Sequence, residues 1–169
     1  MYIAIIVISI ILGLYLLTIL VDVIFVLSFS SIMKKHDNAI KILINSKNDI
    51  LRRIKERLEE NNVYIDEELK NRISAISFHK NLQLESEGFT SMKNELSFVE
   101  GKLLSYAQEM KDDEMIIRLK SDLVQLNMAY RSNVIMYNAD VLGYNYWIRF
   151  LPTRYIYLIL KTKDKNLIS

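Results

Sequence analysis

Residues 2–20 read YIAIIVISIILGLYLLTIL, an apolar run with no charged side chain. About twenty apolar residues in a row are what a helix needs to cross the hydrocarbon core of a bilayer. A peptide group there has no water to bond, so such a run folds as a helix that satisfies its own backbone. A cleaved signal peptide would carry a basic leading region, a shorter apolar core and a small-residue cleavage site. None of these is visible, so a retained anchor is expected. The apolar run resumes after Asp22 as VIFVLSFSSIM, which predicts that the anchor helix continues into the next one.

Asp22 is the one charged side chain in residues 1–33. An ionisable group inside a bilayer is often part of an ion or proton path. Residues 2–21 already span the core, however, which predicts Asp22 at the interface and in reach of water. Lys34, Lys35, Lys41, Lys47, Arg52 and Arg53 follow the span, and only the α-amino group precedes it. The positive-inside rule then expects the N-terminus outside and the remainder in the cytoplasm, as a single-pass protein of the cell membrane.

That remainder is charged but balanced. The whole chain holds 22 Lys and Arg against 20 Asp and Glu, for a net charge of +2. Nucleic-acid binding needs a clustered basic face, and none is expected here. There is no cysteine, one proline and four isolated glycines. Disulfides, thiolate chemistry and glycine-rich phosphate loops are thereby excluded, and long helices are favoured. His36 and His79 have no second histidine or carboxylate at metal-ligand spacing. No Glu-x-x-His pair of the di-iron bundle kind occurs. The expectation is no catalytic residue, no cofactor and no metal.

Apolar residues recur at helical spacing through most of the chain. Ile40, Leu43, Ile44, Ile50, Leu51, Ile54 and Leu58 mark one helix face, fading at Glu60-Asn61-Asn62. A second helix is expected from Asp66, a good N-cap, carrying Leu69, Ile73, Ile76 and Leu84, with Gly88 interrupting. A third is expected over about 90–110, with Leu96, Val99, Leu103, Leu104 and Ala107 inward. The fourth is the most regular: Ile116, Leu119, Leu123, Leu126, Tyr130, Val134, Tyr137, Val141, Tyr144 and Ile148 step by threes and fours, a coiled-coil-like seam. Lys120 is expected on its opposite face. The fold class expected is all-α, an N-terminal transmembrane helix followed by an elongated antiparallel three- to four-helix bundle. The divisions are 1–33 anchor, 34–150 bundle and 151–169 an aromatic and basic tail. Antiparallel packing would return Trp147, Tyr155 and Tyr157 to the headgroup level and bring Lys161, Lys163 and Lys165 to anionic lipid. The alternative is that this tail packs on the bundle.

Residues 137–152 read YNADVLGYNYWIRFLP and resemble the C-terminal signature of the LemA family. Its elements are two Tyr-Asn pairs seven residues apart (Tyr137-Asn138 and Tyr144-Asn145), the intervening Val141, then Ile148-Arg149 and Pro152. Lys47-Asn48-Asp49-Ile50-Leu51 resembles the family's basic-aromatic-Asp-Leu-Ile segment. Arg52 stands where the family usually has proline, and Leu151 where it has phenylalanine, as in a divergent member. The resemblance implies a membrane anchor and a helical bundle; the family's biochemical activity is poorly defined. Independently of it, Tyr130, Tyr137 and Tyr144 lie two turns apart and form one stripe. A polar-edged packing seam that fixes helix register is the main expectation for them, and a tyrosine-lined ligand site the lesser one.

Function is therefore expected to be non-catalytic: a membrane-tethered interaction or scaffold protein whose partners are the lipid bilayer and a protein not named by the sequence, with self-association left open. A membrane-shaping element acting through the tail, and an accessory subunit of a transport assembly using Asp22, are the alternatives.

Overall fold

A computed structural model describes residues 2–76, 84, 86–150, 154–159 and 162–168. The fold is all-helical: α1 (Tyr2–Glu60), α2 (Glu67–Ala75), α3 (Glu87–Tyr106), α4 (Glu114–Ile148) and the short α5 (Arg154–Ile159). No strand occurs among the described residues. As the resumed apolar run predicted, α1 passes without a break from the anchor segment into the amphipathic stretch beyond it. The chain forms two compact units. One holds Met1–His36 with Met136–Leu167, the other Asp37–Ile135, and α1 and α4 supply residues to both.

Each helix ends where side-chain chemistry tells it to. α1 stops in a Schellman turn: Val63 N–H donates to the Leu58 carbonyl and Asn62 N–H to that of Glu59, each at 3.0 Å. Asn62 takes the left-handed φ of 58° that this turn requires, which Asn tolerates better than most residues. Asp66 caps α2 as expected, accepting from Glu68 N–H. That helix is shorter than its apolar spacing suggested and ends at Ala75, where Ile76 turns extended. The Ile76 carbonyl accepts from Arg52 Nη2 at 3.3 Å and from Asn48 Nδ2 at 3.5 Å.

Gly88 does not interrupt a helix. It lies in the first turn of α3, whose N-cap Ser86 accepts from Phe89 N–H at 3.2 Å. Asp113 stands just ahead of α4, where it accepts from Ile116 N–H at 2.9 Å and meets the Arg57 guanidinium at 2.9 Å.

The second unit packs the lower half of α1, all of α2 and α3, and the first part of α4 around a common core. Leu51, Ile54, Leu58, Val99, Leu103 and Ile116 are all fully enclosed, and Leu69, Leu96 and Leu123 nearly so. Within it, α1 and α4 are antiparallel, since Arg57 meets Asp113 while Lys47 and Asn127 meet on one carboxylate. That carboxylate is Glu100 of α3, which takes Lys47 Nζ at 2.5 Å and Asn127 Nδ2 at 2.8 Å. The α4 seam is mostly as its spacing predicted, but Leu126, Tyr130 and Val134 are only half-buried. Lys120 is not an idle surface residue: its Nζ donates to the Ala107 carbonyl at 2.9 Å, closing the end of α3.

Two predictions follow from these contacts. Leu123→Ala should destabilise the protein by about 2–5 kcal/mol, Leu126→Ala by clearly less, and Gln125→Ala hardly at all, read from denaturant unfolding of the detergent-solubilised chain. Equal losses at the three positions would mean that the inward face is misassigned. The Asp113 carboxyl is held below its ordinary value first by the Ile116 N–H and then by Arg57. A depressed carboxylate contributes its full stability above the unfolded value, near 3.8, and loses it as pH falls through the lower folded value. Asp113→Asn keeps a competent N-cap but removes the charge. The gap in thermal midpoint between wild type and this variant should therefore be widest at neutral pH and close as pH falls below about 4.

Candidate functional site

The signature residues are gathered in the first unit, where α4 from Met136 onward runs antiparallel to α1 between Asp22 and His36. Phe25 stacks flat on Trp147, with ring centroids 4.5 Å apart and planes within 1°. Three turns of α1 below, His36 Nε2 lies 3.5 Å from Asp140 Oδ2. Between these contacts Phe29 covers Gly143: a Cβ built there would lie 2.6 Å from Phe29 Cε1 and 2.7 Å from Cζ. The Phe29 ring thus fills the space a side chain at 143 would take, and any larger residue there has to move the ring or the helix.

Along α4 the signature divides by face. Tyr137, Val141, Tyr144 and Ile148 point inward and are buried, as residues spaced by threes and fours on one stripe must. Asn138 is half-buried. Asn145 and Arg149 point sideways and hold the C-terminal segment. Asn145 Nδ2 donates to the Lys165 carbonyl at 2.8 Å, and Lys165 N–H donates to Asn145 Oδ1 at 2.9 Å. One carboxamide thereby satisfies both backbone groups of a single residue, as a neighbouring strand would. One turn on, Arg149 Nε donates to Asp164 Oδ1 at 3.2 Å and Nη2 pairs with Oδ2. Pro152 lies outside the described residues.

The tail thus touches α4 through Asp164 and Lys165 and buries Tyr157 and Ile168, while Arg154, Leu158 and residues 163–167 are exposed. Tyr157 is buried, and Trp147 is half-buried against Phe25 and flanked by Tyr146 and Phe150. The side chains of Tyr155 and Lys161 lie outside the described residues; those of Lys163 and Lys165 are exposed. Asp22 departs from expectation. It does not reach water at the end of the anchor but is 1% exposed, near the Tyr157 hydroxyl. Burial pushes the Tyr157 phenol up to about 12, with the Asp22 carboxylate and then Tyr144 adding in the same direction. Burial also raises Tyr144, helped by Asp164.

The tyrosine stripe does not line one cavity. Tyr130 belongs to the second unit, beside a crevice of about 50 Å³ bordered by Leu43, Lys47, Leu96 and Asn127. That volume admits water but no organic ligand, which needs some 300 Å³ or more. His79 is outside the described residues. Among the described residues no three His, Asp or Glu side chains converge as metal ligands.

Sequence spacing reached the inward stripe but not its partners. Nothing in the sequence paired His36 with Asp140 or Phe29 with Gly143, because those pairs are about a hundred residues apart. No protein-family model matches the chain, and no curated protein or solved structure matches it.

The Phe29 contact is testable. Gly143→Ala improves intrinsic helix propensity by about 1 kcal/mol, yet crowding a packed interface typically costs about 1–3 kcal/mol. Net destabilisation is expected, relieved when Phe29→Ala is added in a double-mutant cycle. A stabilised Gly143→Ala single variant would show that the ring yields freely and that the close approach matters little.

Proposed function

We propose that this chain is a membrane-anchored helical protein of the LemA type, acting as a non-catalytic interaction scaffold with its second unit in the cytoplasm. The observation that carries the reading is the upper part of α1. It is long and apolar enough to cross a membrane, and Tyr2, Ile3, Ile6, Ile10, Leu14 and Leu17 are all more than half exposed. A helix that is apolar on every face and uncovered by its own chain calls for lipid. Within the span, Thr18 Oγ1 donates back to the Tyr15 carbonyl at 2.7 Å.

The LemA resemblance rests on residues 137–152, and the roles those residues take support an architectural meaning for the signature. Tyr137, Val141, Tyr144 and Ile148 pack inward, while Asn145 and Arg149 fasten the tail. Packing and fastening are the roles these residues take, and a scaffold reading is built on them.

The test is fractionation of the full chain from cells. It should stay with membranes through carbonate washing and retain its first residues. Ile10→Arg should impair insertion, since Arg at a helix centre costs about 2.5–3.5 kcal/mol on insertion scales. A wild-type chain released by carbonate, or one shortened at its N-terminus, would overturn the anchor; protease protection of the second unit in intact cells would separately test its side.

A further inference from the structure

Residues 162–167 are fastened to α4 through backbone and a carboxylate, and their lysines take no part. Asn145 engages the N–H and the carbonyl of Lys165, and Arg149 engages Asp164. The side chains of Lys163 and Lys165 are left exposed, with no ion-pair partner among the described residues. Charge in the first unit is lopsided. Seven Lys and Arg stand there against three Asp, whereas the second unit holds fifteen against seventeen Asp and Glu. Each of the three acids is already enclosed or engaged. Asp22 is buried, Asp140 faces His36, and Asp164 offsets Arg149 rather than either lysine.

We infer that this strap is a binding surface for the headgroups of anionic phospholipid, an inference that rests on the anchor reading. Contacts along the first unit act as a depth scale. Trp147 lies on Phe25 and Gly143 under Phe29. Asn145, between them on α4, therefore holds the Lys165 backbone beside residues 25–29 of α1. At the helical rise per residue, that is about 8–14 Å past Leu20, where the apolar run ends. Arg149 is one turn nearer the bilayer and carries Asp164, with Lys163 adjoining. The headgroup region extends about 5–8 Å beyond the hydrocarbon, and a lysine ammonium reaches further on its flexible stem. Both lysines thus lie at headgroup depth. The apolar surface of the anchor continues to the same depth through Ile24 and Leu27, and Leu167 is exposed beside the lysines. Exposed apolar and unpaired basic side chains at the foot of a lipid-facing helix suit an anionic bilayer. Resting on α4 and meeting lipid are compatible, because different groups of the strap do each. Lys34 and Lys35 are exposed as well, but they lie about 20 Å past Leu20, farther from the headgroups than the screening length of about 8 Å.

The test places the full chain in phosphatidylcholine nanodiscs with a trace of pyrene-labelled phosphatidylglycerol or pyrene-labelled phosphatidylcholine. Trp147 is the sole tryptophan and serves as energy donor. Transfer should report enrichment of the anionic probe over the zwitterionic one, with each lysine contributing about fivefold, and the preference should shrink as salt rises. Lys163→Gln with Lys165→Gln should remove most of it. Lys34→Gln with Lys35→Gln makes the same change in net charge and should leave most of it. All four positions are exposed, and unchanged circular dichroism would confirm that each variant is folded. Equal transfer to both probes overturns the inference. So do equal losses in the two double variants, which would make net charge the cause. So does erasure of the preference by inorganic phosphate at constant ionic strength, which would make free phosphate the ligand. A chain that never enters the nanodiscs gives transfer to neither probe and overturns the anchor reading as well, whereas one that enters and shows no preference overturns this inference alone.

Discussion

Residue 143 carries only a hydrogen where other residues place a carbon, and Phe29 occupies that space. The first unit is organised around this contact. With α1 and α4 antiparallel and touching there, Phe25 falls opposite Trp147 on one side, and His36 opposite Asp140 on the other. Packed helices have discrete ways to seat ridges in grooves, and a ring seated over a glycine fits one such register. The inward tyrosines then fill the seam, and the sideways Asn145 and Arg149 are left at the edge, where they meet the tail.

The second unit relies on a different device. Its stability comes from enclosed aliphatic side chains, each burying apolar area at about 25 cal/mol per Å². Its polar contacts are placed at helix ends and at the crossing of three helices. Asp113 caps α4 while pairing with Arg57; Lys120 closes α3; Arg52 and Asn48 take the last carbonyl after α2; Glu100 joins Lys47 to Asn127. Individually such bonds are worth about 1 kcal/mol. Their importance is positional, since each satisfies a group that the helix leaves open and ties it to a particular neighbour.

α4, like α1, supplies residues to both units. One face serves the core of each unit that it enters, and another remains apolar in water. α1 shows the same excess in a different form, because its upper part is apolar all round. In both cases the chain carries more apolar surface than its own fold covers, and that surplus is the physical ground on which the proposed function rests.

Periodicity and composition were enough to establish the all-helical fold, the unbroken α1, the Asp66 cap and most of the inward residues of α4, because helix formation and face assignment are local. The apolar run of residues 2–20 likewise carries its meaning within twenty residues. Gly88 misled for the opposite reason: the N-cap at Ser86 outweighed a glycine whose cost in the first turn is small. Lys120 looked idle because a helical wheel shows which face a residue occupies, not what lies across from it. Asp22 looked solvated for the same reason, until the tail carrying Tyr157 covered it. Tertiary structure alone decided these points, as it did the pairing of Phe29 with Gly143 and of Asn145 with the tail backbone. A repeat of three and four residues specifies a face, whereas a contact between residues a hundred apart depends on how two faces are brought together.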